Sequence, residues 1–464
     1  MTLAVVILAA GKSTRFKSAT PKVLHDFGEK PMIAHSLDLA AKLSDTVPVL
    51  VVGEETDVPL RAWAGDRARF VYQAQRLGTG HAVLQARELL QGTVDRVLVL
   101  YGDMPLLRLS SLQQLVAVQE SRKATMAMIT IIRDNSQGFG RVLRDGDGRV
   151  LRIVEEPEAT PEQLQVRELN AGIYVYDADF LWTHLPQVKP SAEKGELYLT
   201  DMVELASSAG LTVADLVLDD PAEAMGINTR VDLADALTVL RRRINEHWML
   251  EGVTLVHPET THIGPDVTIE RDTVILPNTH LLGNTTIGEA CEIGPNAWLD
   301  TAIIGDRCRV TASVIEHSEM EPDSDIGPFS HLRPGAHICT GAHVGNFAEL
   351  KNSTLGSGSH QGHFSYLGDT TTGVHVNIGA GTITCNYDGK HKHPTTIEDH
   401  VFIGSDSLLV APVHIGEGAK TGAGSVVTHD VPPHTLVYGV PARPRPPRTV
   451  ARSTDAPTES EESE

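Results

Sequence analysis

Cations gather near the start of the chain. Leu8-Ala9-Ala10-Gly11-Lys12-Ser13-Thr14-Arg15 follows an apolar run, and Pro21-Lys22-Val23-Leu24 adds a third positive charge. Small residues let a backbone approach a ligand closely, and Lys12, Arg15 and Lys22 can meet phosphate oxygens. A P-loop is excluded, because that motif needs Gly where Val6 stands. Gln73 and the run Leu77-Gly78-Thr79-Gly80-His81 form a second Gly-rich turn. Tyr101-Gly102-Asp103-Met104-Pro105 places one carboxylate just past another apolar run, where a Mg²⁺ bridging phosphates would sit. This is the chemistry of phosphate transfer.

A second group of reactive residues lies far along the chain. Arg333, Glu349, Lys351, His363 and Tyr366 fall within about 35 residues. An ammonium cannot attack an acyl carbon, so acyl transfer to an amine needs a base, and imidazole suits that task near neutral pH. His363 is the candidate base, with Glu349 to orient it. Arg333, Lys351 and Tyr366 could grip a sugar phosphate. The pairs His360/His363 and His391/His393 are too few ligands to define a zinc site by themselves.

The elements that must position these groups differ between the two halves. Up to residue 228, apolar strands at 3–9, 48–53 and 96–101 alternate with helical spacing at 31–43 and 80–90. That alternation predicts a parallel α/β sheet covered on both faces, with ligands beyond the carboxyl ends of the strands. Residues 229–251 predict one helix, with Leu233, Leu237, Leu240, Ile244 and Trp248 on a single stripe. From residue 252 the period becomes six. Ile263, Ile269, Ile275, Leu281, Ile287, Ile293 and Leu299 keep that spacing, with Val267, Thr273, Thr279, Thr285, Cys291 and Ala297 between them. The period resumes at Ile304, Ile326 and Ile403. Period six predicts a hexapeptide parallel β-helix of 18-residue coils. Frame slips predict loops leaving the coil, most clearly at 384–394. Residues 446–464 read as a disordered acidic tail.

Composition sets the limits. The 464 residues carry 39 Lys plus Arg against 60 Asp plus Glu, a net charge of −21, which argues against nucleic-acid or anionic-membrane binding. No apolar run reaches a membrane-spanning length. Four scattered cysteines, with no CxxC pair, predict reduced thiols and a cytoplasmic protein.

The motifs LAAGKSTR, PKVL, QRLGTGHA and YGDMPL, in this order, resemble the sugar-1-phosphate nucleotidyltransferases. The resemblance is closest to the bacterial N-acetylglucosamine-1-phosphate uridylyltransferases joined to a glucosamine-1-phosphate acetyltransferase, and it fails only in the tail. It implies a Rossmann-like nucleotidyltransferase domain (1–228), a connecting helix (229–251) and a left-handed parallel β-helix acetyltransferase domain (252–445). It puts Leu8, Ala9, Ala10, Gly11, Gln73, Gly78 and Thr79 in a uridine pocket, with Tyr101 and Gly102 beside the substrates. Arg15 and Lys22 would hold phosphates, and Asp103 and Asn228 would ligate Mg²⁺. Gly140, Glu155 and Asn170 would hold the N-acetylhexosamine. In the second half His363 would be the base. Arg333, Lys351, Tyr366 and Asn377 would bind glucosamine 1-phosphate. Ala380, Asn386, Tyr387, Ser405 and Ala423 would line the acetyl-CoA site. UTP and N-acetylglucosamine 1-phosphate are the other implied substrates, and a homotrimer through the β-helix is the implied assembly. Two departures stand out. Ser13 occupies a position where the family usually has Gly. The usual coenzyme A arginine near the C-terminal end is replaced by Val437-Tyr438-Gly439-Val440-Pro441, with Arg443 just beyond. The alternatives are a nucleotidyltransferase whose β-helix only assembles it, and a non-catalytic sensor of sugar nucleotides.

Overall fold

A computed structural model describes residues 2–134, 138–191 and 195–445. The tail expected at 446–464 lies outside them. The chain forms two compact units that divide between Leu240 and Arg241.

The first unit is built on one twisted sheet. Its strands are β1 (Leu3–Leu8), β2 (Val49–Val52), β3 (Arg69–Tyr72), β4 (Arg96–Tyr101), β5 (Met126–Ile132), β6 (Arg141–Arg144), β7 (Val150–Val154), β8 (Glu168–Asp177) and β9 (Val213–Val217). The order is β3-β2-β1-β4-β8-β5-β9. Side chains alternate across it. Val6 and Leu8 of β1 join one core with Val49, Val51, Val97 and Val99. Val5, Ile7 and Ala9 join the other with Leu50, Leu98 and Leu100. Continuous apolar runs are required because both faces are covered.

Two expectations need correction here. The sheet is mixed, since β8 runs antiparallel to both β4 and β5. Parallel neighbours need a long crossover, normally a helix. The chain between β5 and β8 instead folds into the antiparallel pair β6 and β7. The helix expected at 80–90 is broken into Thr79–Leu84 and Arg87–Leu90.

Helix Arg230–Leu250 is continuous. Leu233, Leu237 and Leu240 pack on a small core of Phe16, Phe27, Met32, Leu106 and Ile227 in the first unit. Ile244 and Trp248 pack on the core of the second.

The second unit is a parallel β-helix. Among the described residues, its short strands stack into sheets of twelve, ten and nine strands. Ile263 pairs with Leu281 and Leu281 with Leu299, one full coil apart. The aliphatic positions form one continuous core. The small residues between them are buried as well, and their hydroxyls join coils: Thr273 Oγ1 donates to Gly288 O at 2.8 Å and accepts from Cys291 N at 3.0 Å.

The slips before Ile304 and Ile326 have a different cause from the one expected. Leu299 pairs with Ile315, and Ile304 with Met320, each two residues short of a full coil. These slips are tightened turns, not excursions. Among the described residues one coil is long, where the clearest slip is expected to form a loop: Thr370 pairs with Thr395, and the extra residues form the loop around 385–394. Polar residues also take inward positions. Gln361 lies opposite Val344 and is fully buried.

Candidate functional site

The first site lies where the sheet order turns. β1 and β4 are adjacent and parallel, with Leu8 beside Tyr101. β2 flanks β1 on the other side. The loops leaving β1 and β4 therefore diverge around a crevice, the place where open α/β sheets bind ligands. Gly102 N donates to Leu8 O at 3.0 Å and locks the two strand ends together.

Leu8, Ala10, Gly11, Lys12, Arg15, Lys22, Gln73, Gly78, Thr79, Tyr101, Asp103 and Asn228 line this one cleft. Lys22 Nζ lies 2.6 Å from Asp103 Oδ2 and 3.2 Å from Asn228 Oδ1. Asp103 is fixed by its own carbonyl, which accepts from Ile227 N at 2.9 Å. Asn228 is held by Asp232, whose carboxylate accepts from its backbone N–H at 2.9 Å. Two hard oxygens thus converge on one cation. That donor set fits a divalent cation.

The Gly-rich turn is built around glycine's lack of a side chain. Gly78 has φ +99°, and a Cβ there would fall 2.5 Å from Leu197 O. Gln73 Nε2 donates to Gly78 O at 3.2 Å, so Gln73 braces the turn. Thr79 Oγ1 accepts from Leu199 N at 3.0 Å. Gly11 differs, because a Cβ there would meet nothing within 4 Å, which leaves open space over the loop. Ser13 adopts φ 56°, the left-handed region.

Ala9 turns its side chain into the opposite core, away from the cleft. Gly140, Glu155 and Asn170 form a neighbouring cluster. Asn170 N donates to Gly140 O at 2.9 Å, and Glu155 Oε1 accepts from Thr200 Oγ1 at 3.0 Å. The Asn170 side chain is committed to Tyr174 OH at 2.7 Å and Gly172 N at 3.1 Å. Tyr101 joins the two groups. Burial, then the charges of Asp103 and Glu155, push its phenol up. Asp201, close to Glu158, Glu204 and Glu155, is pushed up to about 6, chiefly by burial. Arg76, Glu196 and Tyr198 also line the cleft and were missed from the sequence. Arg76 stands inside QRLGTGHA and donates to Ala10 O at 2.8 Å. Glu196 and Tyr198 carry no motif signal.

The second site lies on the ten-stranded sheet of the β-helix. Strands His331–Leu332, Ala348–Lys351 and Ser365–Gly368 stack in register, so Glu349 and Tyr366 are neighbours. Arg333 Nη1 donates to Glu349 Oε1 at 2.9 Å. Lys351 has Lys392 and Arg333 close by, and the Lys392 charge lowers its pKa. A Cβ on Gly368 would lie 2.4 Å from Tyr366 OH and 2.6 Å from Asn386 Nδ2, so these polar tips close over the bare backbone. Asn386 Nδ2 donates to Asp369 Oδ2 at 2.6 Å. Arg333, Lys351 and Lys392 therefore form a cationic patch. Lys392 was missed, because the long loop that carries it has no repeat to place its residues.

His363 is exposed at the turn between strands His360–Gln361 and Ser365–Gly368. The turn is held from inside. Buried Gln361 Nε2 donates to Ser365 Oγ at 2.9 Å, and Ser365 Oγ donates to His363 O at 2.9 Å. The expected orienting role of Glu349 is not seen. Its carboxylate is paired with Arg333, and no hydrogen bond joins it to His363 among the described residues. Ala380, Ser405 and Ala423 continue along the His363 corner. Gly381 N bonds Phe364 O at 2.7 Å, Asp406 N bonds Ala380 O at 2.6 Å and Gly424 N bonds Ser405 O at 2.8 Å. Asn377 lies apart from Arg333, Lys351 and Tyr366, on the twelve-stranded sheet opposite His360. Tyr387 is exposed in the long loop. Arg443 pairs with Tyr438, whose side chain covers Gly422 next to Ala423.

The Nucleotidyl transferase family matches residues 4–302. The Bacterial transferase hexapeptide family (six repeats) matches residues 394–429. The chain is 44% identical over 436 residues to the Bifunctional protein GlmU of Syntrophomonas wolfei, covering 94% of this chain and 97% of that one. The chain belongs to the bifunctional GlmU family. Similar relatives include GlmU of Pelobacter propionicus, 46% identical with 94% and 95% covered, and of Syntrophotalea carbinolica, 47% identical with 94% of each covered. The first site lies within the nucleotidyl transferase match, whereas Arg333, Lys351 and His363 lie before the hexapeptide match, which takes in Ser405 and Ala423.

Proposed function

We propose that this chain makes UDP-N-acetylglucosamine in two separate steps, acetylating glucosamine 1-phosphate on the β-helix and transferring UMP to the product in the N-terminal cleft. The observation that carries this reading is the placement of cations in an acidic chain. Lys12, Arg15, Lys22 and Arg76 line one cleft of the first unit, and Arg333, Lys351 and Lys392 gather in the second. Each unit so acquires its own anion site.

In the cleft, a phosphate oxygen of N-acetylglucosamine 1-phosphate attacks the α-phosphorus of UTP. The new P–O bond replaces the bond to the leaving pyrophosphate, and no side-chain base is needed. Arg15 and Lys22 neutralise and align the phosphates. Asp103 and Asn228 would hold Mg²⁺, which supplies further charge neutralisation when bound. Lys22, which bridges these two oxygens, would be free to take a phosphate when they hold the ion. Gln73 and Gly78 shape the uridine side. Gly140, Glu155 and Asn170 line the sugar side.

On the β-helix, the amine of glucosamine 1-phosphate attacks the thioester carbonyl of acetyl-CoA. His363 takes the amine proton and returns it to the departing thiolate. Arg333, Lys351 and Lys392 hold the sugar phosphate. The corner formed by Ala380, Ser405 and Ala423 climbs by one strand spacing per coil, about 4.8 Å, and suits an extended coenzyme arm.

We extend the reading to a homotrimer through the β-helix. Phe329, Phe347 and Phe364 are 63%, 60% and 57% exposed on successive coils, and the first two rings stack at 5.6 Å. A row of bare aromatics beside His363 suits a face covered by a second copy. No helix of the described residues is long and apolar enough to cross a membrane.

The test is product counting by mass spectrometry. The chain with glucosamine 1-phosphate and acetyl-CoA, without UTP, should give N-acetylglucosamine 1-phosphate. Asp103→Ala should abolish only uridylyl transfer, and His363→Ala only acetyl transfer. Loss of both reactions from either substitution, with the fold intact, would overturn the two-site reading.

A further inference from the structure

The third face of the β-helix carries a group of metal-binding side chains that neither proposed reaction uses. Strand Glu319–Met320 lies parallel to His337–Ile338, with Glu319 beside His337 and Met320 beside Ile338. The next pair along is Glu321 and Cys339. Met320 and Ile338 are buried in the core. Side chains alternate along a strand, so Glu319, Glu321, His337 and Cys339 all leave the coil on its outer side. Two adjacent coils therefore present Glu-x-Glu and His-x-Cys as a small square.

The groups are close. His337 Nε2 and Glu321 Oε1 are 2.8 Å apart. One ligand atom each from Glu321, His337 and Cys339 lies within 4.8 Å of the other two. All three residues are half-buried. Burial, then the charges of Glu321 and Glu319, push the Cys339 thiol up, so both carboxylates act on the sulfur. The second oxygen of Glu321 is already taken: it accepts from Thr340 N at 2.8 Å and Thr340 Oγ1 at 2.7 Å. That leaves Oε1 facing the imidazole and the thiol. A ligand braced by an outer hydrogen bond is a recurring feature of metal sites.

We propose that Glu321, His337 and Cys339 form a binding site for a divalent transition ion of the zinc class. One thiolate, one imidazole and one carboxylate make a zinc donor set, and the sulfur disfavours Mg²⁺. Tetrahedral bonds of about 2.0–2.3 Å need the ligand atoms somewhat closer than they stand, a shift that side-chain rotation supplies. Glu319 or a water completes the fourth position. The site is distinct from the proposed acetyl-transfer centre, whose residues lie on the other two sheets and the corner between them. Its effect would be to pin one coil of the β-helix to the next.

The test uses the full chain, reduced and freed of metal by a chelator, and titrated with Co²⁺ as an optical probe. One Co²⁺ per chain should bind with a thiolate-to-cobalt charge-transfer band, and Zn²⁺ should displace it. Cys339→Ser should remove the band. His337→Ala and Glu321→Gln should each weaken binding at least tenfold. Cys385→Ser should bind cobalt as the parent does. Circular dichroism and uridylyl transfer, unchanged in the three site variants, would show that the fold survives. No thiolate band at millimolar Co²⁺, or a band that persists in Cys339→Ser, would overturn the proposal.

Discussion

Lys22 Nζ stands 2.6 Å from Asp103 Oδ2, joining residues 81 positions apart in the chain. The pair is mostly shielded, with side-chain exposures of 10% and 24%. In the proposed reaction Asp103 would hold a divalent cation and Lys22 would hold a phosphate. Asp103→Asn removes the charge and keeps the shape. It should lower uridylyl transfer at least a hundredfold in kcat/KM, about 3 kcal/mol of transition-state stabilisation. Acetyl transfer, measured on the same sample, should not change.

Ser13 carries backbone strain that glycine would not. A left-handed conformation costs a non-glycine residue roughly 1–2 kcal/mol, and Ser13 has φ 56°. Its Oγ makes only a long 3.5 Å contact to Gly11 O. Ser13→Gly should stabilise the loop by about 1 kcal/mol, offset in part by the freedom glycine adds to the unfolded chain. Thermal melting of the first unit should show a higher Tm.

Asp201 gives the first unit a defined pH response. Its carboxyl is raised to about 6, chiefly by burial and then by Glu158, Glu204 and Glu155. The folded state therefore holds this proton more tightly than the unfolded chain. Its contribution is fully present below the ordinary Asp range and is lost as pH rises towards 6. Asp201→Asn should stabilise the protein above that pH by about 1 kcal/mol, a value discounted for partial exposure. Denaturation at pH 4 and at pH 8 checks the sign, with the gain confined to the higher pH.

Ser365 holds the turn that carries His363 from inside the coil. It accepts from buried Gln361 and donates to the His363 carbonyl, both at 2.9 Å. Ser365→Ala should lower the kcat of acetyl transfer about tenfold with little change in KM, and should cost roughly 1–2 kcal/mol by leaving the Gln361 amide unpaired. Adding Gln361→Met should restore stability but not kcat.

The exposed phenylalanine row is where the proposed assembly can be tested. Phe347→Glu puts a charge in the middle of it and should dissociate the proposed trimer. Sedimentation would report the monomer, with acetyl transfer falling and uridylyl transfer retained.

Much of this architecture is legible residue by residue. The Gly-rich turns, the carboxylate after β4 and the six-residue period are local patterns, and local patterns survive in a linear text. Arg76 and Lys392 are not legible in this way. Each matters because of neighbours distant in sequence, and neither breaks a pattern. Gln361 breaks the aliphatic pattern of the inward positions, and the coil accepts its amide there because Ser365 bonds it.

The sequence by itself determined the two grammars of the chain, the strand ends that carry the cations and the period that makes a coil. These follow from side-chain size, charge and periodicity, which act between near neighbours. Tertiary structure alone decided that β8 runs antiparallel, that frame slips tighten turns and that Glu349 pairs with Arg333 instead of His363. It also placed Glu321 beside His337 and Cys339. Those outcomes depend on which strands stack and in what register, and register is settled by burying the whole core at once.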